Sequence, residues 1–222
     1  MNMYEGIFEA HISMKPLSKD QAVFFAEFCQ THRCKAIQIV LARGINPVQP
    51  MSCSRHQGTL PSVLEEVKAL AQEMEKSGFE VKRLKIEASP QNKDIPHNLE
   101  EALTHPAQNY FEHHWKILLS DKPSQELLNL CERFQAHFSK NAFKKQEDHQ
   151  SEHFITLRLY GQGLQETQKI CQDFEITLQA QGIPVLQQIT EYCVYDDYLA
   201  LDDHWLTAAS PCIQCTKPCT YE

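Results

Sequence analysis

The chain has 222 residues, 42% of them hydrophobic and 23% charged, and its formal net charge is −8. This composition is typical of a folded globular protein and excludes collagen, coiled coils and fully disordered chains. The apolar runs are far shorter than the roughly 18 residues that a membrane helix needs, and the acidic balance disfavours nucleic-acid binding, which requires clustered cations. We therefore expect no membrane partner and no nucleic-acid partner.

Nine cysteines, together with an N-terminus that lacks a signal-peptide pattern, predict a cytoplasmic protein whose thiols are mostly free. The sequence contains no nucleotide-binding fingerprint, catalytic-triad signature or complete metal motif. Cofactor and oligomeric state are therefore left open.

The first half of the chain predicts two helices among four strands. The predicted elements are a strand at 8–14, a helix opening at Ser18, strands at 35–42 and 49–56, a helix between Pro61 and Gly78, and a strand at 81–88. The expected apolar face of the first helix comprises Val23, Phe24, Phe25, Phe28 and Cys29. Ser18 followed by Gln21 is a capping-box pattern, which supports the start of that helix.

The second half predicts the same order of elements. They are a strand at 110–119, a helix, a short strand at 140–144, a strand at 153–160, a helix that begins near Leu164 and stops at Gly182, and a strand at 189–195. The expected apolar face of its first helix comprises Leu127, Leu128, Cys131, Phe134 and Phe138. An alternative interpretation is that the third strand is only a loop in one of the two halves.

Three short matches relate the two halves. Residues 8–14 are echoed by residues 111–117, Gln57-Gly58 by Gln162-Gly163, and Gly78 by Gly182, at offsets of about 104 residues. The expectation is an α+β protein made by tandem duplication of two ferredoxin-like (βαββαβ) units with a pseudo-two-fold relation. Antiparallel sheets would have helices on one face. The predicted domains are residues 1–95, residues 96–199 and a C-terminal extension, residues 200–222, with a cysteine cluster.

The repeated strand carries the first candidate site. Strand alternation places Glu9 and His11 on one face, and Glu112 and His114 on the corresponding face of the second copy, while the last strand of the first copy adds Glu87. A histidine beside carboxylates can act as a general acid or base near neutral pH. These five residues are the predicted catalytic groups, although solvated charges that keep an open sheet face wetted would give the same pattern.

Four further residues are candidate ligand contacts. Arg55 and His56 precede a helix, where backbone N–H groups can bind an anion, and Arg83 and Arg158 extend from predicted strands. We therefore expect an enzyme or binder of an anionic or phosphorylated small molecule, using a cleft lined by histidine, glutamate and arginine. The alternative is a non-enzymatic regulatory or protein-interaction module with ferredoxin-like repeats, since the fold alone does not choose between them.

Two weaker patterns complete the sequence. The residues His11-Ile12-Ser13-Met14 resemble one motif of the two-histidine phosphoesterase superfamily, but the equivalent segment beginning at His114 lacks the hydroxyl residue. The spacing of Cys212, Cys215 and Cys219 fits three ligands of a soft metal, whereas structural sites normally have four. No metal site is predicted, and the tail is expected to be dispensable for folding.

Overall fold

The computed structural model describes residues 3–42, 44–119, 123–145 and 151–203, and in the stretch 141–145 it describes the backbone alone. The tail cysteines Cys212, Cys215 and Cys219 therefore lie outside the described residues. None of the helices in the described part of the chain combines the length and the apolar character needed to cross a membrane.

Both halves contain four strands and two longer helices in the predicted order. The elements are β1 (Glu5–Met14), α1 (Lys19–Thr31), β2 (Lys35–Leu41), β3 (Val48–Thr59), α2 (Leu60–Lys76), β4 (Val81–Ala88), α3 (Leu99–Ala102), β5 (Tyr110–Leu119), α4 (Gln125–Arg133), β6 (His137–Lys145), β7 (Ser151–Tyr160), α5 (Leu164–Ala180), β8 (Val185–Asp196) and a 3₁₀ turn (Leu199–Asp202).

The eight strands form one closed antiparallel ring, in the order β1-β3-β2-β6-β7-β5-β8-β4. Within the first half the neighbours run β4-β1-β3-β2, and within the second half they run β8-β5-β7-β6. The halves are joined where β2 pairs with β6 and where β4 pairs with β8. The α+β class and the antiparallel pairing are confirmed, but the expected separate sheets are a single continuous one.

Helices cover the outer face of the ring. Phe8 and Ile12 of β1 are fully buried there in a core with α1 and α2, and Trp115 of β5 is fully buried in a second core with α4 and α5. This alternation is the one predicted for the repeated strand, because successive side chains point to opposite faces. The polar partners of those residues consequently point into the ring.

Several residues that were predicted to lie on buried helix faces do not lie there. Val23 and Phe24 of α1 are 63% and 48% exposed instead of forming its buried face. Phe138 belongs to β6 and not to α4, because Gln135 takes a φ of 55° and ends the helical run before it. The strand predicted at 140–144 is present and is longer than expected, with nine residues.

Two connecting segments pack against the ring. The side chain of Asn92 bonds the backbone N–H and C=O of Ile7, and a Cβ on Gly6, whose φ is 140°, would lie 2.3 Å from the Asn92 oxygen. After β8, the 3₁₀ turn is fastened by hydrogen bonds from Asn46 to Leu201 and from the Ile45 N–H to Asp203. That turn delivers Asp202 to the interior.

Candidate functional site

The inner face of the ring encloses a cavity of about 200 Å³, lined by residues from all eight strands and by Asp202. One wall is apolar and is formed mainly by Ile37 and Ile39 of β2 and Met51 of β3. The facing wall carries most of the charged and hydrogen-bonding side chains. The cavity therefore suits a small ligand that has an apolar part and a polar part.

His11 lies at one end of the polar wall, between two carboxylates. Its Nε2 is 3.1 Å from Oε2 of Glu87 and 3.6 Å from Oε1 of Glu9. Glu87 is almost completely buried, and burial works to raise its pKa, but the adjacent Lys85 ammonium and then His11 outweigh burial and lower it. The pair is thus an ionised carboxylate that orients an imidazole, which is the arrangement used in general acid–base catalysis.

His114 occupies the equivalent position on β5. Its Nδ1 is 2.9 Å from the Thr156 hydroxyl, and its Nε2 is 3.8 Å from Glu112 and 3.7 Å from Glu191. Burial lowers the pKa of His114, so the neutral form is favoured. Its Nε2 is turned toward two carboxylates at distances longer than a hydrogen bond.

A chain of buried ion pairs links the rest of the polar wall. The ammonium of Lys85 contacts both Glu87, at 2.7 Å, and Glu112. The guanidinium of Arg158 donates to Glu112 at 2.8 Å and to Asp202 at 3.0 Å. Burial alone would raise the pKa of Glu112, but Arg158 and Lys85 outweigh it and hold that pKa well below its usual range.

Arg83 completes this chain of ion pairs at the 3₁₀ turn. Its Nε donates to Asp196 at 2.8 Å, its Nη2 also contacts that carboxylate, and its Nη1 donates to Asp202 at 2.9 Å. Asp202 therefore bridges the guanidinium groups of Arg83 and Arg158. Nη1 of Arg158, by contrast, is buried without a hydrogen-bond partner.

Negative charge predominates in the lining. Five carboxylates and three cations line the cavity. Among the carboxylates, Glu191 has a pKa that is clearly raised. Burial raises the pKa of Glu191 well above its usual range, and the nearby Glu87 and Glu9 carboxylates raise it further. At neutral pH this end of the cavity consequently holds either a bound proton or an excess of negative charge.

The structure brings seven of the nine predicted site residues to this one cavity. They are Glu9, His11, Arg83, Glu87, Glu112, His114 and Arg158. Arg55 is 81% exposed and lies 3.6 Å from Glu9. His56 is placed elsewhere, because its Nδ1 is 2.7 Å from Glu66 of α2 and its Nε2 is 2.8 Å from Ser54, on the helix-covered face.

Sequence reasoning gave no role to three central residues. Lys85, Glu191 and Asp202 were not assigned to the site. Strand alternation could have found Glu191, since it faces Glu112 directly across β8 and β5. No sequence signal indicates Asp202, because it follows the repeated elements and reaches the cavity through a 3₁₀ turn.

Two groups of side chains in the described residues have the geometry of a metal site. One comprises Glu87, Glu112 and His114, and the other comprises Glu9, His11 and Cys53, with the ligand atoms of each group within 4.8 Å of one another. The first group is the more deeply buried. No known family model matches this chain, and no curated protein matches it in sequence.

Proposed function

We propose that this protein binds a small organic molecule inside the ring, with the Glu87–His11 pair available to exchange a proton with it. The observation that supports this proposal is that both repeated histidines line one cavity inside the ring instead of lying on separate surfaces. The alternative of a protein-interaction module has less support, because a protein partner contacts the outside of the molecule, whereas these titratable groups line its interior.

The ligand's polar group is neutral or cationic in this proposal. Arg83, Lys85 and Arg158 each contact two carboxylates already, so their charge is compensated within the protein. The apolar wall at Ile37 and Ile39 then takes the hydrocarbon part of the ligand.

The anionic or phosphorylated ligand predicted from the sequence is the second candidate. One observation favours it, namely that Nη1 of Arg158 is buried and has no hydrogen-bond partner. A carboxylate or phosphate oxygen would supply the missing acceptor and form a charge-assisted hydrogen bond. The excess of carboxylates in the lining weighs against it.

Benzylamine, benzyl alcohol and benzoate test these candidates, because they share one apolar ring and differ in the charge of the polar group. Binding is measured by ligand-observed NMR in the presence of a chelator, so that the cavity has only the protein's own charges. We expect roughly millimolar dissociation constants for the first two probes and binding of benzoate at least tenfold weaker. Tighter binding of benzoate would favour the anionic candidate.

A matched pair of substitutions locates the binding. Ile39→Trp fills the cavity and is expected to abolish probe binding, whereas Ile176→Trp, on the exposed face of α5, is expected to leave it unchanged. If the Ile39 variant folds and still binds all three probes normally, the probes lie elsewhere and the proposal is wrong.

We also propose that the two halves arose by duplication. The register supports this, since His11 lies opposite Cys53 and His114 lies opposite Thr156, at one offset of 103 residues. We propose in addition that the first unit ends at residue 95, that the second ends at residue 199, and that the protein is cytoplasmic.

A further inference from the structure

We infer that the buried group Glu87, Glu112 and His114, completed by Glu191, binds one divalent transition-metal ion. The inference rests on the proposed function in that both concern the same cavity, and it adds a cation that the sequence did not indicate. The ligand atoms of the first three residues already lie within 4.8 Å of one another. Glu191 comes within 3.7 Å of His114 on the same side.

The orientation of His114 is the first reason. Its Nδ1 is engaged by Thr156 at 2.9 Å, a contact that fixes the ring and directs Nε2 toward Glu112 and Glu191. Metal-bound histidines typically use their second ring nitrogen in this way, and the partner orients the ligand. When Nδ1–H donates to the Thr156 hydroxyl, the lone pair of Nε2 faces the two carboxylates and can bind a cation there.

Unbalanced carboxylates are the second reason. Glu9 lies directly opposite Glu87 across β1 and β4, and Glu112 lies directly opposite Glu191 across β5 and β8. Like charges at such positions destabilise a sheet. A divalent cation at this point would reduce the repulsion that remains beside Lys85 and Arg158.

The buried carboxylate of Glu87 is the third reason. Its side chain is 1% exposed, and its Oε1 forms an ion pair with the Lys85 ammonium at 2.7 Å. A buried carboxylate requires a compensating cation. A metal ion that displaces Lys85 would supply that charge and would take this oxygen as a ligand.

The size of the group also fits. Metal–ligand bonds of about 2.1 Å hold opposite ligands about 4.2 Å apart, so binding requires Glu87, Glu112 and His114 to close by roughly half an ångström. Imidazole and carboxylate ligands suit several first-row ions, and among these Mn²⁺ discriminates best against thiolates. Mn²⁺ is therefore the appropriate probe in a chain with nine cysteines.

Loss of the free Mn²⁺ EPR signal measures binding to the full-length protein. We expect one bound ion, at least tenfold weaker binding in His114→Ala and in Glu191→Gln, and about tenfold weaker binding in Thr156→Val, which removes only the orienting hydroxyl. Lys85→Met removes the competing ammonium and should tighten binding about tenfold. His56→Ala, on the helix-covered face, should bind as the wild type does.

Absence of Mn²⁺ binding at millimolar concentration would overturn the inference, and so would equal binding by the wild type, His114→Ala and Glu191→Gln. Because two ligand variants are measured, failure of one to fold leaves the other to decide. Probe binding in chelator tests the proposed function separately. Benzylamine bound without Mn²⁺ binding overturns the metal site alone, and Mn²⁺ bound without probe binding overturns the proposed function alone.

Discussion

Each half of the molecule carries a glutamate, a histidine and an arginine in the same strand register, but the arginine is exposed in one half and buried in the other. Glu9, which is two residues before His11, lies opposite Arg55 in the neighbouring strand. Glu112, which is two residues before His114, lies opposite Arg158. In the first half the arginine is 81% exposed and 3.6 Å from its glutamate, whereas in the second half it is 3% exposed and 2.8 Å away.

The difference comes from partners outside the repeated pattern. Asp202 from the C-terminal turn and Lys85 from the first half converge on the second set, and no equivalent of Asp202 bonds Arg55 among the described residues. A local sequence pattern thus determines which face a charged residue occupies. Whether that residue becomes a solvated surface pair or part of a buried network is decided by distant parts of the chain.

The largest expected effect tests this difference directly. Arg158→Met should cost about 3–5 kcal/mol of unfolding free energy, because it leaves Glu112 and Asp202 buried with one cation fewer. Arg55→Met, with the same change in side chain, should stay within about 0.5 kcal/mol, since a solvated ion pair contributes little. Urea denaturation at pH 7 measures both.

Equal losses in the two variants would show that the two sets are energetically equivalent despite their burial. A double variant, Arg158→Met with Asp202→Asn, sharpens the result. Neutralising Asp202 removes one of the unpaired charges, so part of the stability lost in the single variant should return.

A second difference between the halves should appear as pH dependence. His113 is buried on the outer face of β5, where the matching residue of β1 is Ala10. Burial, followed by the neighbouring His114, lowers the pKa of His113 to about 4, from about 6.5 in an unfolded chain. The unfolded state therefore binds more protons between these values, and stability should be lost as the pH falls from 6.5 through 4.

The expected loss attributable to His113 is roughly 3 kcal/mol. Thermal or urea unfolding from pH 7 to pH 4 should show a correspondingly shallower decline in His113→Leu. An identical decline in variant and wild type would mean that His113 is protonated in the folded protein, contrary to its buried position.

Glu191 on the inner face provides a control of opposite sign. Its raised pKa means that the folded state holds a proton which the unfolded state releases above about pH 4.5. The stability that this proton contributes is lost as the pH rises through the folded-state pKa. Glu191→Gln should therefore gain stability relative to the wild type toward neutral pH, while the His113 variant gains toward acid pH.

Sequence periodicity predicted the faces of the ring well and its closure not at all. The alternation around His11 and His114 placed both histidines on the inner face, because strand geometry is local. The pairing of β2 with β6 and of β4 with β8 joins strands that are about 100 residues apart, and no local pattern encodes it. The prediction of separate sheets failed for that reason.

Turn conformation explains another miss. The spacing of apolar residues continued α4 through Phe138, since periodicity does not register a single residue with positive φ. Gln135 adopts such a conformation, and the chain leaves the helix and enters β6. Arg33 does the same after α1, which shows that the turn recurs in both halves although the residue types differ.

These two turns supply the smallest expected effect and the closest test of equivalence between the halves. Arg33 and Gln135 have φ values of 56° and 55°, and each precedes a residue whose N–H bonds the carbonyl of a cysteine five positions earlier. A left-handed conformation costs a non-glycine residue roughly 1–2 kcal/mol, and a glycine avoids that cost. The larger unfolded-state entropy of glycine offsets part of the resulting stabilisation. Arg33→Gly and Gln135→Gly should therefore each raise the free energy of unfolding by about 0.5–1 kcal/mol.

The reverse change is the control. Gly78→Ala and Gly182→Ala, at φ values of 88° and 71° in open space, should each lower the free energy of unfolding by about 1 kcal/mol. Urea denaturation of the four variants gives the comparison. Opposite signs at Arg33 and Gln135 would show that the two turns are not equivalent and would count against duplication, whereas matched gains and matched losses would extend the likeness of the halves from strand order to individual backbone conformations.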